Sequence, residues 1–236
     1  MPLLPTSRGY STTVDRSAVV QGADINPTAA TNAQSFAASG NHKTKLGGAT
    51  AQIINFATPG TAATASHFQN LDVTPASGGL TLNSNVFVNG TLIAQVGAAA
   101  PKLFGNGATT LTAAAYNISG LTIDNLPMVL NEPTAVAETF NGVTFQNFAT
   151  TNTTMLSMTG PGSALTVRSV TFNNVNFQSL GAGANNYYVK LVSSNGLGLN
   201  LTMSGSNQSP QQGGNGPTLS SPPNQSTVSG ATILWP

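Results

Sequence analysis

The sequence predicts an all-β protein, a parallel β-helix in which short strands stack coil upon coil. A pattern of aliphatic residue, Thr, apolar residue, polar residue, Asn and apolar residue occurs at 121–126, 143–148 and 170–175, and a shorter form occurs at 67–71. The Asn residues of the last three segments are 22 and 27 residues apart, and the earlier interval of 55 residues is roughly twice as long. A short strand that recurs every twenty-odd residues is typical of solenoids, whose coils bury their apolar sides against their neighbours.

Alternation with a period of two supports the assignment of these segments as strands. In the second segment, Val143, Phe145 and Asn147 share one face, whereas Thr144 and Gln146 share the other. The apolar residues are therefore expected inside the coils, with one Asn at the turn that ends each strand. Stacked Asn amides can hydrogen-bond along such a column, and Asn tolerates the left-handed backbone of a tight turn. The predicted ladder consists of Asn70, Asn125, Asn147 and Asn174.

The threonines of the same segments form a second predicted column. Thr122, Thr144 and Thr171 have the outward parity and equivalent positions in the pattern. A regular array of hydroxyls on a flat strand face could bind a glycan or ice. The simpler explanation is that Thr is a favourable outward residue in strands.

Composition divides the chain into four parts. Residues 1–50 contain few large apolar residues and are predicted to form a polar arm or irregular cap, and 51–203 are predicted to form six to eight coils. Residues 204–230 are rich in Gly, Ser, Pro and Asn, which is typical of loops. Residues 231–236 are apolar again. Ile233, Leu234 and Trp235 are expected to dock on the helix as a terminal strand, or to contact another copy of the chain.

Charged residues are scarce. They make up 6% of the 236 residues, with a net charge of +1, against about 25% in an average globular protein. Nothing builds the positive field that attracts nucleic acid or an anionic membrane, and no segment reaches the roughly 18 apolar residues of a membrane helix. With no cysteine, a disulfide scaffold, a thiolate metal site and a Cys nucleophile are excluded.

Location is predicted from the same composition. The Asn, Thr, Ser and Gly surface resembles that of secreted or cell-surface bacterial proteins, so an extracellular location is expected. The opening residues lack the pattern of a signal peptide. An exported chain would therefore be expected as a mature form or an excised piece.

The three full segments, 121–126, 143–148 and 170–175, resemble coils of right-handed parallel β-helix proteins, the pectin-lyase-like superfamily. The resemblance covers about residues 65 to 203. It implies a right-handed winding and a place among polysaccharide lyases and hydrolases, phage tailspikes, autotransporter passengers or bacterial surface repeats. The enzymes of this superfamily gather Asp, Arg or Lys on neighbouring coils, whereas this chain has mostly one charged residue per coil. The resemblance therefore favours the surface or adhesin-type branch.

Acidic residues supply the enzymatic alternative. Glu132 and Glu138 lie six residues apart before a predicted strand, and Asp124 is predicted to point outward. Paired carboxylates can act as general acid and base on sugars, and three together can hold Ca²⁺. A polysaccharide-active enzyme would use Asp124, Glu132, Glu138 or Arg168. The simpler interpretation is that the glutamates are solvated acids in a loop.

Other reactive side chains give weaker signals. His42 and His67 lack a second ligand at a recognisable metal-binding spacing, and His67 is predicted to be a surface residue. Tyr187, Tyr188 and Trp235 could stack on sugar rings, but such residues more often complete a core. No catalytic residue, metal or cofactor is predicted.

The leading functional prediction is a non-catalytic extracellular module, a structural or adhesive element of a bacterial surface protein or fibre. Its partners would be neighbouring domains, other copies of the chain, or a glycan. The alternatives are a polysaccharide-active β-helix enzyme, and a glycan- or ice-binding face on the threonine column.

Overall fold

The computed structural model of the chain describes residues 37–47, 51–74, 79–95, 102–131, 137–149, 153–159, 168–178, 187–192, 199–204 and 231–234. These residues form strands and turns and contain no helix. Among them there is accordingly no helix long and apolar enough to cross a membrane. The strands belong to one sheet of eleven and one of six, and neighbouring strands in both run parallel. The predicted all-β parallel solenoid is confirmed.

Strand pairing defines three faces, which the chain visits in turn. The first face contains β1 (Lys43–Gly47), β3 (Asn70–Thr74), the second halves of β5 (Val86–Gln95) and β7 (Leu111–Ser119), β10 (Ala137–Asn141), β13 (Arg168–Asn173), β16 (Leu199–Ser204) and β17 (Ala231–Leu234). The second face contains β2 (Gln52–Ile54), β4 (Leu80–Leu82), β6 (Lys102–Phe104), β8 (Thr122–Asp124), β11 (Thr144–Gln146) and β14 (Asn176–Phe177). The third face contains the first halves of β5 and β7 together with β9 (Met128–Leu130), β12 (Thr154–Thr159) and β15 (Tyr187–Val192).

Within the described ranges, about four coils carry strands on all three faces, fewer than the six to eight predicted. They span residues 86–104, 111–124, 128–146 and 154–177. Asn89 lies in β5 and Asn106 follows β6, so both belong to the same coil. A complete circuit takes 22 residues from Ile118 to its partner Phe140 and 32 from Phe140 to Phe172.

Apolar side chains from all three faces fill the interior. In β11 the fully buried Phe145 lies between the half-buried Thr144 and Gln146, which is the predicted alternation. Aromatic rings stack along the axis, with centroids 5.1 Å apart for Phe140 and Phe172 and 5.0 Å apart for Phe145 and Phe177. These separations match the spacing of about 4.8 Å between neighbouring strands. Each such ring contributes about 1.5–3 kcal/mol by leaving water.

Candidate binding surface

The predicted Asn ladder does not form one column. The register aligns Asp124 with Gln146, so Asn125 and Asn147 are neighbours where the second face ends. Asn174 lies at a different corner, because Phe172 pairs with Phe140 on the first face. The four-residue ladder is therefore wrong, although the solenoid that it was meant to support is present.

Asn70 lies at neither corner, because it begins β3 on the first face. Its Oδ1 accepts a hydrogen bond from the Thr91 N–H at 3.1 Å, and its Nδ2 donates to the His42 carbonyl oxygen at 3.3 Å. A Cβ on Gly90 would lie 2.5 Å from Asn70 Oδ1. Glycine at this position therefore allows the side chain of Asn70 to join three successive coils.

The prediction that Asn supplies left-handed corners is confirmed for three of the four residues. Asn125, Asn147 and Asn174 have φ angles of 50°, 60° and 51°, and they are the non-glycine residues with positive φ in the described part of the chain. Asn174 occupies the corner held by Gly142 and Gly120 in the preceding coils. Each corner therefore has either Asn or Gly where the backbone turns left-handed.

The threonine column is likewise divided between two faces. Thr122 and Thr144 are neighbours on the second face, with Lys102 and Asn176 next to them in the same row. Thr171 lies on the first face beside Thr139. The three threonines therefore do not form one binding face.

The first face has a more extensive polar surface, which the sequence patterns did not reveal. Two outward rows of side chains cross β7, β10 and β13 in register. We call these six residues the polar array. The array consists of Asn117, Thr139 and Thr171 in one row and Ser119, Asn141 and Asn173 in the other.

The polar array is accessible, neutral and partly ordered by its own contacts. Asn117, Thr139 and Asn141 are exposed, and the other three members are half-buried. Asn173 Nδ2 donates to Asn141 Oδ1 at 3.1 Å, so one amide pair does stack between coils. Among the hydrogen bonds of the described residues, none engages the side chains of Asn117, Thr139 or Thr171.

Asp124 is the shared hydrogen-bond acceptor of a separate cluster on the second face. Its carboxylate accepts from Gln146 Nε2 at 2.8 Å and from Asn147 Nδ2 at 2.9 Å, and Lys102 Nζ lies 3.5 Å away. Phe104 lies beneath the same ammonium, 5.6 Å from its ring centroid. Asp124 is only 9% exposed and connects residues of the coils on both sides. These contacts supply hydrogen-bond donors to the carboxylate and link three coils.

The acids proposed for catalysis do not converge in the described part of the chain. Glu138 is 1% exposed, lies in β10 with the inward parity of Phe140, and is not the solvated loop acid that was predicted. Asp124 belongs to the outer side of the second face. The predicted patch of Asp124, Glu132 and Glu138 is therefore wrong for Asp124 and Glu138, because these two carboxyl groups lie on different faces and on opposite sides of the coil wall. Glu132 and the side chain of Arg168 lie outside the described residues.

His67 is buried rather than exposed, contrary to the prediction. It is 4% exposed, with Nδ1 3.0 Å from the Ala65 carbonyl oxygen and Nε2 2.9 Å from the Ala38 carbonyl oxygen. The backbone of Ala38 also donates to the His67 carbonyl oxygen at 3.3 Å. The imidazole therefore attaches the segment at Ala37–Ala38 to the next coil. No group of three or more His, Asp or Glu residues suitable for a metal ion occurs among the described residues.

The terminal segment is described in part. Ile233 and Leu234 lie in β17, which pairs in parallel with β16 through Leu201 and Thr202. Trp235 lies outside the described residues, as do the side chains of Tyr187 and Tyr188. The division of the chain at residues 50, 203 and 230 stays a prediction.

No family model matches the chain, and neither a curated protein nor a solved structure matches it. The fold class, a parallel β-solenoid, therefore rests on the strand register described above. Membership of the pectin-lyase-like superfamily and of its adhesin-type branch stays a prediction.

Proposed function

We propose that the chain is a non-catalytic module that acts through its outer surface, as a structural or adhesive element of an extracellular surface protein or fibre. The observation that carries this proposal is the polar array, a neutral and regular set of hydrogen-bonding side chains on the outer side of one sheet face. A rigid stack of parallel coils can hold such a face at a fixed distance from neighbouring domains.

The arrangement of the acidic residues supports a role without catalysis. Most enzymes that hydrolyse sugar chains use two carboxyl groups that flank the bond to be broken. Asp124 is occupied by Gln146, Asn147 and Lys102, and Glu138 lies inside the coils. Among the described residues, no two carboxyl groups are therefore placed to flank a bound sugar chain.

An assay for released reducing ends tests this proposal against the enzymatic alternative. The purified chain is incubated with xylan, cellulose and polygalacturonate, and light scattering after size exclusion reports its mass and shape. The proposal requires an elongated particle and no reducing ends. Release of reducing ends that disappears in Asp124→Asn or Glu138→Gln would establish an enzyme and overturn the proposal.

A further inference from the structure

We infer that the polar array is a docking surface for a neutral, hydroxyl-rich polysaccharide, an inference that rests on the proposed adhesive function and specifies its ligand. The six side chains form three pairs on consecutive coils. Parallel strands are about 4.8 Å apart and residues advance about 3.3 Å along each strand. The array therefore presents a grid of about 4.8 by 6.6 Å, built from the strand spacing and two residues of rise.

The chemistry of the array selects the class of ligand. Asn, Thr and Ser side chains each offer donors and acceptors, which is what a hydroxyl group requires of its partner. The array contains no charged residue, and the outward charged side chains of this face among the described residues, Lys43, Lys45 and Asp72, lie in earlier coils. Without a positive field, the surface does not favour an acidic glycan or a nucleic acid.

The shape of the surface favours an extended chain rather than a single sugar. The corner beside the array is formed by Gly120 and Gly142 in two of the three coils and by the exposed Asn174 in the third, so a side chain rises at that edge in one coil only. The outer side of a sheet makes only a few weak contacts with one sugar unit. A polymer that crosses several coils combines such contacts, because each further contact forms at a high effective concentration.

The irregular composition of the array favours a polysaccharide over ice. One row begins with Asn117 and continues with Thr139 and Thr171, and the other begins with Ser119 and continues with Asn141 and Asn173. Side chains of unequal length do not define a lattice plane. A flexible polymer can adjust its hydroxyl groups to them.

Retention of the chain on insoluble polymers tests the inference, with microcrystalline cellulose and chitin as neutral probes and polygalacturonate gel as the acidic probe. Thr139→Lys places a bulky charge at the centre of the array, and Thr144→Lys makes the same change on the second face. Thr139→Val removes one hydroxyl group and little volume. Thermal unfolding confirms that each variant retains its fold.

The expected result is retention on a neutral polymer that falls about tenfold or more in Thr139→Lys and about fivefold in Thr139→Val, as expected for loss of several contacts or one. Thr144→Lys is expected to bind as the unchanged chain does. Neither salt nor free glucose should release the bound chain from the polymer. Equal loss in both lysine variants, preferential retention on polygalacturonate, or no retention on either neutral polymer would overturn the inference. So would an inhibition of ice recrystallisation that Thr139→Lys abolishes.

Failure of this inference is distinguishable from failure of the proposed function. Absence of retention together with absence of released reducing ends removes the polysaccharide surface and leaves a structural module. Release of reducing ends removes the non-catalytic function itself.

Discussion

Asn174 occupies the corner that Gly142 occupies one coil earlier. Gly142 N–H donates to the Asn173 carbonyl oxygen at 2.8 Å, just as Gly120 N–H donates to the Asn141 carbonyl oxygen at 2.8 Å. The φ angles of Gly142 and Asn174 are 63° and 51°. The corner therefore requires a residue with a left-handed backbone, and both glycine and asparagine meet that requirement.

We expect Asn174→Gly to leave the free energy of unfolding nearly unchanged, because glycine adopts this backbone without a steric penalty. Asn174→Val should lower it by about 1–3 kcal/mol, since a β-branched residue is strained at positive φ. Denaturant unfolding of both variants measures the difference. Equal stability of the glycine and valine variants would show that the corner is not left-handed.

The Asp124 cluster makes a second prediction about stability. Asp124→Ala leaves the amides of Gln146 and Asn147 without their acceptor and should cost about 1–3 kcal/mol. Asp72→Ala on the first face is the matched control, and the less buried Asp72 should cost under about 0.5 kcal/mol. Chemical unfolding compares the two. A larger loss in the control would contradict the role of Asp124 in joining coils.

The aromatic stack predicts a contrast between an inward and an outward phenylalanine. Phe145 is fully buried and stacks on Phe177, so Phe145→Ala should cost about 3–5 kcal/mol through lost burial and a cavity. Phe104 faces outward and is half-buried, so Phe104→Ala should cost under about 1.5 kcal/mol. Denaturant unfolding compares the midpoints of the Phe145→Ala and Phe104→Ala variants. Equal midpoints would show that Phe145 does not face inward while Phe104 faces outward.

His67 predicts a local effect at the start of the described chain. His67→Leu removes the ring contact with the Ala38 carbonyl oxygen and should speed hydrogen exchange of the Ala38 amide. Exchange of the Ile123 amide, deep in the second face, should not change. Unaltered protection at Ala38 would show that the imidazole does not hold this segment.

The sequence predicts the local structure of each repeated segment but not its place in the coil. Each of the three full segments forms a strand followed by a left-handed Asn, as the pattern indicates, whereas Asn70 of the shorter segment begins a strand. The step of 22 residues from Asn125 to Asn147 equals one circuit, since Phe145 pairs with Ile123. The step of 27 to Asn174 does not, because Phe145 pairs with Phe177, 32 residues later. The corner that follows the first face and the corner that follows the second both take a left-handed Asn, so the motif alone cannot distinguish them.

The polar array was missed for a related reason. Its three strands read Asn117-Ile118-Ser119, Thr139-Phe140-Asn141 and Thr171-Phe172-Asn173, each with one buried residue between two outward polar ones. Their alignment depends on the lengths of the intervening loops, which follow no regular period. The burial of His67 and Glu138 could not be predicted from residue type either, since histidine is intermediate in its burial and glutamate is mostly exposed.

The most direct test of the account is the register that places Thr139 beside Thr171. The chain has no cysteine, so a variant with two introduced cysteines reports on one pair of positions. The Cα atoms of facing residues on neighbouring strands lie within the roughly 4.4–6.8 Å that a disulfide spans. Thr139→Cys with Thr171→Cys should form an intramolecular disulfide on mild oxidation, detected by mass spectrometry. Thr144→Cys with Thr171→Cys, the pair that a single threonine column would align, should not. Cross-linking of the second pair instead of the first would contradict the coil register and with it the polar array.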